Sequence, residues 1–253
     1  MENLFSIEDK VIIITGAGRG IGYQLAVGLA KYSAIIYSLD KKFTKKIPKN
    51  LSSNIIEIKC DITDYKKIKQ VFKKIFVKEK RINVLINNAG VSFASQKKNQ
   101  SYSEKDWIET INVNLTGSFY CSQEVIKYML KQRNGSIINI TSINAELGFP
   151  RNPAYNASKG GLKMLGKAFA KDWSKFGIRV NNIGPGYIKT EMTSKRFANF
   201  LKETNLYTYT SYKNITSTWP AFMPNFLGIQ IDHILFSNNF FFCFIASLFC
   251  PVL

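Results

Sequence analysis

Tyr155 and Lys159 lie four residues apart in Tyr155-Asn156-Ala157-Ser158-Lys159, so on a helix they share a face. A lysine cation beside a phenol stabilises the phenolate and lowers its pKa, which prepares the oxygen for proton transfer near neutral pH. Alone the pair says little, because surface helices carry many such pairs. A glycine cluster far upstream changes its meaning. Thr15-Gly16-Ala17-Gly18-Arg19-Gly20-Ile21-Gly22 follows the apolar run from Val11 to Thr15 and precedes a helical pattern. There Gly16 permits a tight turn, Gly20 lets a pyrophosphate approach the backbone, and Gly22 allows close helix–strand packing. The helix N-terminus adds amide donors and a positive dipole end. The spacing is G-x3-G-x-G, a variant of the dinucleotide fingerprint G-x-G-x-x-G. Asp40 ends the next apolar run, where an acid accepts hydrogen bonds from ribose hydroxyls. Its charge repels a 2′-phosphate and favours NAD over NADP, whereas Arg19, Lys41 and Lys42 would welcome that phosphate.

The elements that must position these residues follow from hydrophobic periodicity. Short apolar runs predict strands over 11–15, 34–39, 55–59, 84–86, 136–140 and 179–183. Helices are expected over 21–32, 64–80, 103–132 and 153–176, the third with Ser103 as N-cap and Asp106 three residues on. The lysines between the apolar positions of residues 64–80 read as a solvated face. Strand–helix alternation with short links predicts an α/β fold: a doubly wound parallel sheet of Rossmann type, with right-handed crossovers.

With these motifs in this order, residues 5–198 resemble the short-chain dehydrogenase/reductase family. The glycine turn matches the family's cofactor turn, with Gly16, Arg19, Gly20, Ile21 and Gly22 as contacts. Asp61 falls at its adenine-contacting acid. Asn87-Asn88-Ala89-Gly90 matches the segment that supports the sheet and lines the cofactor cleft. Pro185-Gly186-x3-Thr190 matches the nicotinamide-contacting segment, with Ile188 and Thr190 as further contacts. Asn114, Ser142, Tyr155 and Lys159 fall at the catalytic positions. The resemblance implies hydride exchange between a nicotinamide and a secondary alcohol or ketone. In that scheme Tyr155 acts as acid or base and Lys159 lowers its pKa and holds the nicotinamide ribose. Ser142 bonds the substrate oxygen, and Asn114 holds a proton-relaying water. Leu4-Phe5-Ser6-Ile7 resembles members that oxidise sugar acids, such as gluconate dehydrogenases. The alternative substrate class is that of the 3-oxoacyl-carrier-protein reductases, whose acidic carrier would suit a basic surface. The resemblance also implies a homo-oligomer, provided the C-terminus is functional.

Composition narrows the function classes. The 253 residues carry a formal charge of +18. The cations are 29 Lys against 6 Arg, whereas base and phosphate recognition favours Arg, so nucleic acid is not expected as a partner. Cys60, Cys121, Cys243 and Cys250 form no CxxC and His233 is the single histidine, so no metal site is expected. Acids stand in the first ten residues where a signal peptide needs cations, and a cytoplasmic location is expected. The charge divides unevenly: residues 1–199 hold 33 basic and 15 acidic residues, residues 200–253 two of each. We therefore read 1–199 as the cofactor-binding catalytic domain and 200–253 as an atypical Phe-rich tail, where the resemblance ends. Three readings stay open for it: an out-of-frame translation, a native cap whose Phe and Tyr build a pocket, or a membrane-contacting segment. Its final apolar run is shorter than the roughly 17–25 residues of a spanning helix, which disfavours the last. The first would leave a catalytically impaired nucleotide-binding remnant.

Overall fold

Val11-Ile12-Ile13-Ile14-Thr15 is buried at every position, which is possible only for a strand covered on both faces. Its side chains alternate accordingly: Val11 and Ile13 enter one core, with Ile68, Phe72, Cys121, Val125 and Phe169, while Ile12 and Ile14 enter the other, with Leu25, Ala26 and Leu29. The structure, a computed structural model, describes residues 6–93, 102–186, 188 and 190–193. The tail over 200–253 lies outside the described residues.

Six strands are described: β1 (Val11–Thr15), β2 (Ile35–Asp40), β3 (Ile55–Lys59), β4 (Val84–Asn87), β5 (Gly135–Ile140) and β6 (Ile178–Ile183). They form one sheet in the order β3-β2-β1-β4-β5-β6, and every pairing is parallel. The helices are α1 (Gly20–Ala30), α2 (Tyr65–Glu79), α3 (Glu104–Ile111), α4 (Ser118–Gln132) and α5 (Pro153–Trp173). In α2 the buried positions are Ile68, Val71, Phe72 and Ile75, and Asp64 caps the first turn by accepting from Lys67 N.

The single helix expected over 103–132 is divided. A π-helical segment, Asn112–Gly117, separates α3 from α4. The cause is tertiary. Asn114 Oδ1 accepts from Val91 N at 2.8 Å, and its Nδ2 donates to Val91 O and to Ser158 Oγ, both at 3.0 Å. These bonds pull one residue of the helix toward the loop after β4 and toward α5, and a π-bulge is the usual way a helix accommodates such an inserted side chain. The expected start of α3 holds, with Ser103 Oγ accepting from Asp106 N at 3.3 Å.

Three asparagines in register tie β4, β5 and β6 through the core. Asn87 Nδ2 donates to Asn139 Oδ1 at 2.9 Å, and Asn139 Nδ2 donates to Asn182 Oδ1 at 3.0 Å. Asn182 Nδ2 passes the chain on to Lys163 O in α5 at 3.1 Å. Gly166 of α5 makes room for this ladder, because a Cβ there would sit 2.3 Å from Asn182 Oδ1 and 2.7 Å from Asn139 Nδ2. Gly166→Ala would stabilise an exposed helix by about 1 kcal/mol. Here it is expected to destabilise the protein by about 1–3 kcal/mol, through overpacking and broken buried hydrogen bonds. Urea unfolding of the two proteins gives the sign directly.

Candidate active site

The strand order reverses between β1 and β4, so the connections leaving these two strands diverge and open a crevice at their C-terminal ends. Both walls are bolted together at its base. Thr15 Oγ1 accepts from Asn88 N at 3.0 Å and Ala89 N at 3.1 Å, and Asn88 Nδ2 donates to Thr15 O and Gly16 O at 2.9 and 3.0 Å. Gly16 holds φ at +65°, and a Cβ on it would lie 2.6 Å from Ala89 Cα. The turn therefore needs glycine both for its backbone conformation and for the close approach of the β4 loop.

The resulting cleft has a volume of about 400 Å³. Its walls include Gly16, Arg19, Gly20, Ile21, Asp40, Asp61, Asn88, Ala89, Gly90, Tyr155, Lys159, Pro185, Gly186, Ile188 and Thr190. These come from six separate stretches of chain, so the fold brings together nearly all of the residues singled out in the sequence. Three do not line it. Gly22 packs behind the turn against Asn88, Asn114 is fully buried, and Ser142 is 9% exposed with its hydroxyl turned to Asn144. Val91, Thr141, Glu191, Met192 and Thr193 line the cleft without having been expected to. No local pattern marks these residues; they reach the cleft only because they adjoin its loops. A wider depression of about 500 Å³ adjoins the cleft at Lys41, Glu109 and Val113 and contains none of the expected site residues.

Asp40 makes contacts that its sequence position does not reveal. Its Oδ2 accepts from Gly18 N at 2.8 Å and its Oδ1 from Lys42 N at 3.1 Å, which fixes the carboxylate against the glycine turn. Burial pushes the Asp61 carboxyl up, but bonds from Thr63 and Lys41 outweigh it and hold the group below its ordinary pKa. The cations nearby face acids: Lys41 Nζ lies 3.0 Å from Asp61, and Arg19 and Lys45 lie 3.7 and 3.9 Å from Glu191. The Glu191 contacts are exposed and individually weak, but they bring the segment after β6 across the mouth of the glycine turn.

At the other end, Pro153 occupies the first turn of α5, and Tyr155 and Lys159 follow on one face. Lys159 Nζ is 5.7 Å from the centroid of the Tyr155 ring and donates to Ile140 O at 2.7 Å. Its burial pushes the ammonium pKa down to about 8. Gly90 keeps a space open here, since a Cβ on it would lie 3.4 Å from Asn114 Oδ1 and 3.5 Å from Lys159 Nζ. Among the described residues, no group of three or more His, Cys, Asp or Glu could hold a metal ion, and no helix is long and apolar enough to cross a membrane.

A buried cation destabilises the fold in a pH-dependent way. The folded pKa of Lys159 lies below the ordinary 10.5, so below pH 8 the group is charged in both states and the burial penalty is complete. Between about pH 8 and 10.5 the folded state has lost its proton while the unfolded state keeps it, and the penalty fades. Lys159→Met is therefore expected to raise the unfolding free energy by about 1–3 kcal/mol at pH 7. The advantage should shrink as the pH rises towards 10. Denaturant unfolding at pH 7 and 9.5 measures both.

Comparison with known proteins agrees with this geometry. The profile of the family described as short chain dehydrogenase matches residues 10–200. The 3-oxoacyl-[acyl-carrier-protein] reductase FabG of Thermotoga maritima is 39% identical over 194 residues, covering 75% of this chain and 78% of that protein. Gluconate 5-dehydrogenase of Gluconobacter oxydans is 34% identical over 203 residues, covering 78% of each. The FabG reductase of Buchnera aphidicola is 36% identical over 235 residues, covering 89% of this chain and 95% of that protein. That alignment is longer than residues 1–199 can hold, so it continues past the point where the motif resemblance stops. Among solved structures, a candidate NAD(P)-dependent gluconate 5-dehydrogenase from Beutenbergia cavernae, with NADP bound at low occupancy, superimposes with a TM-score of 0.73. It is 27% identical, with 80% of this chain and 82% of that one covered.

Proposed function

The chain belongs to the short-chain dehydrogenase family of oxidoreductases, and from that premise we propose that it exchanges hydride between a nicotinamide dinucleotide and a secondary alcohol or ketone of the polyol or sugar-acid class. The observation that carries this reading is the buried Lys159 ammonium beside Tyr155, at one end of a cleft whose other end is the glycine turn. The residues present fit such a cofactor. The turn at Gly16 to Gly20 leads into the N-terminus of α1, which offers amide donors to a pyrophosphate. Asp40 would meet an adenosine ribose and Asp61 the adenine, and Asn88, Ala89, Gly90, Pro185, Gly186, Ile188 and Thr190 line the same cleft as Tyr155. When bound, the nicotinamide supplies or takes the hydride.

Tyr155 then gives its phenolic proton to the carbonyl oxygen in reduction, and takes it back from the alcohol in oxidation. The Lys159 charge favours the phenolate and so brings the phenol's pKa towards neutrality. Ser142 steadies the substrate oxygen, which gains negative charge in the transition state. Asn114 holds α5 and the loop after β4 at a fixed spacing around the ammonium, beside the gap at Gly90 where a relaying water would sit. We infer NAD as the preferred cofactor, because Asp40 places a fixed negative charge where the 2′-phosphate of NADP would go. Of the cations that would attract that phosphate, Arg19 faces Glu191 and Lys41 faces Asp61. The NADP in the Beutenbergia structure favours the other cofactor, and kcat/KM with NADH and NADPH decides. A ratio favouring NADH by tenfold or more is expected.

The second reading, reduction of a 3-oxoacyl group on an acidic carrier, is favoured by the 39% identity to the Thermotoga reductase. A panel of 5-keto-D-gluconate, simple ketones and acetoacetyl thioesters separates the two. We take residues 1–199 as the catalytic domain and expect a cytoplasmic homo-oligomer. Tyr155→Phe should abolish turnover, by at least about a thousandfold given the worth of a positioned acid–base group, and leave NADH affinity within about twofold. Retained turnover in that variant contradicts the assignment. Wild-type protein that binds NADH and turns over none of the panel would instead be a nucleotide-binding module.

A further inference from the structure

We propose that Asn144 and Asn156 are positioning residues that fix the hydrogen-bond polarity of Ser142, so that the resting site receives the alcohol partner of the reaction more readily than the ketone. The inference rests on the reaction proposed above.

The polarity is set at a backbone carbonyl. Phe149 O can only accept, and Asn156 Nδ2 lies 2.7 Å from it. The amide of Asn156 is thereby oriented, and its Oδ1 must face the other way. There it accepts from Asn144 Nδ2, also at 2.7 Å. Asn144 is oriented in turn, and its Oδ1 is left facing Ser142, whose hydroxyl donates to it at 3.1 Å. Amide oxygen and nitrogen are ordinarily assigned from their surroundings; here a group that can only accept settles all three residues in sequence. Reversing either amide would set acceptor against acceptor, Asn156 Oδ1 against Phe149 O or Asn144 Oδ1 against Asn156 Oδ1.

A serine hydroxyl has one proton and two lone pairs. The proton of Ser142 is held by Asn144 Oδ1, and one lone pair takes Asn144 N at 3.2 Å. One lone pair remains. A ligand that meets Ser142 without breaking these bonds must therefore donate, which an alcohol does and a ketone cannot; the alcohol's single hydroxyl proton must then turn from Ser142 to Tyr155 before it is transferred. To polarise a ketone, Ser142 must turn its proton away from Asn144 and leave Oδ1 without its donor. The chain also joins the segment after β5 to α5 mechanically, since Asn144 lies two residues from Ser142 and Asn156 is next to Tyr155. Neither asparagine is needed to transfer a proton. Each acts through Ser142.

The test compares wild type, Asn144→Ala and Asn156→Ala with D-gluconate and 5-keto-D-gluconate as the substrate pair, in both directions. The equilibrium constant pins the ratio of the two kcat/KM values, so the signature is a shift in the ratio of the two KM values, matched by an equal shift in the ratio of the two kcat values. Freeing the Ser142 proton is expected to lower KM for the ketone relative to KM for the alcohol by about fivefold in Asn144→Ala, the worth of one neutral hydrogen bond. Asn156→Ala, which only lets the Asn144 amide turn over, should shift the same ratio in the same direction by less. Circular dichroism and NADH affinity check that both variants remain folded. A KM ratio unchanged in both variants, or one shifted towards the alcohol, overturns the positioning role even if kcat falls. Wild type without turnover of either substrate overturns the reaction on which the proposal rests, and the proposal with it.

Discussion

Burial of the Lys159 ammonium is the constraint from which the rest of the site follows. A cation removed from water with one carbonyl for a partner is unstable. The fold tolerates it because everything around it is held by other means. Asn114 binds both strands of approach, through Val91 and through Ser158 in the same helix as the lysine. The π-helical turn that carries Asn114 is the local distortion that makes this reach possible. Gly90 leaves open the space between the amide and the ammonium. The lysine keeps unused donors, and its neighbour on the helix face is a phenol. A group in this state is poorly satisfied in the resting protein, and in the proposed reaction a phenolate formed beside it would satisfy it better, which is how a site selects charge that appears only during reaction.

The parallel sheet supplies the rigidity this needs. Thr15 and Asn88 lock β1 to β4 at the reversal of strand order, and the asparagine ladder locks β4 to β5 and β6. Lysine and tyrosine on α5 are thus referred to the same framework as the glycine turn, although the two motifs are well over a hundred residues apart in sequence. The ladder ends in Lys163 O, so α5 is fastened to the sheet one turn beyond Lys159.

Much of this was legible in the sequence, for physical reasons that can be named. Parallel strands in a covered sheet are short apolar runs rich in β-branched residues, and all six described strands fall within about two residues of their expected bounds. The glycine turn was legible because only glycine permits its backbone, and the Tyr155–Lys159 pair because a helix forces i and i+4 together. What stayed hidden depends on contacts between distant segments. The π-helical turn has no period of its own over six residues and is imposed by Val91 and Ser158. Asn139 and Asn182 read as ordinary polar residues in strands, and Asn87 only as part of the Asn-Asn-Ala-Gly segment; their pairing is a consequence of register. The orientation of Ser142 depends on Asn156 and on a carbonyl at Phe149, neither of which its local sequence contains. Asp40 was read as a ribose acceptor, and its bond to Gly18 N shows that the same carboxylate also shapes the turn.

In the proposed reaction hydride passes directly between the nicotinamide and the substrate carbon beside Tyr155. The most direct measurement supplies purified protein with NADH deuterated at the transferable C4 position and 5-keto-D-gluconate, and locates the deuterium by NMR of the product. Deuterium on the newly formed carbinol carbon, with none appearing there from deuterated solvent and ordinary NADH, is the predicted result. A reduced product that takes that hydrogen from solvent, or labelled NADH that remains unconsumed with every ketone offered, would contradict it.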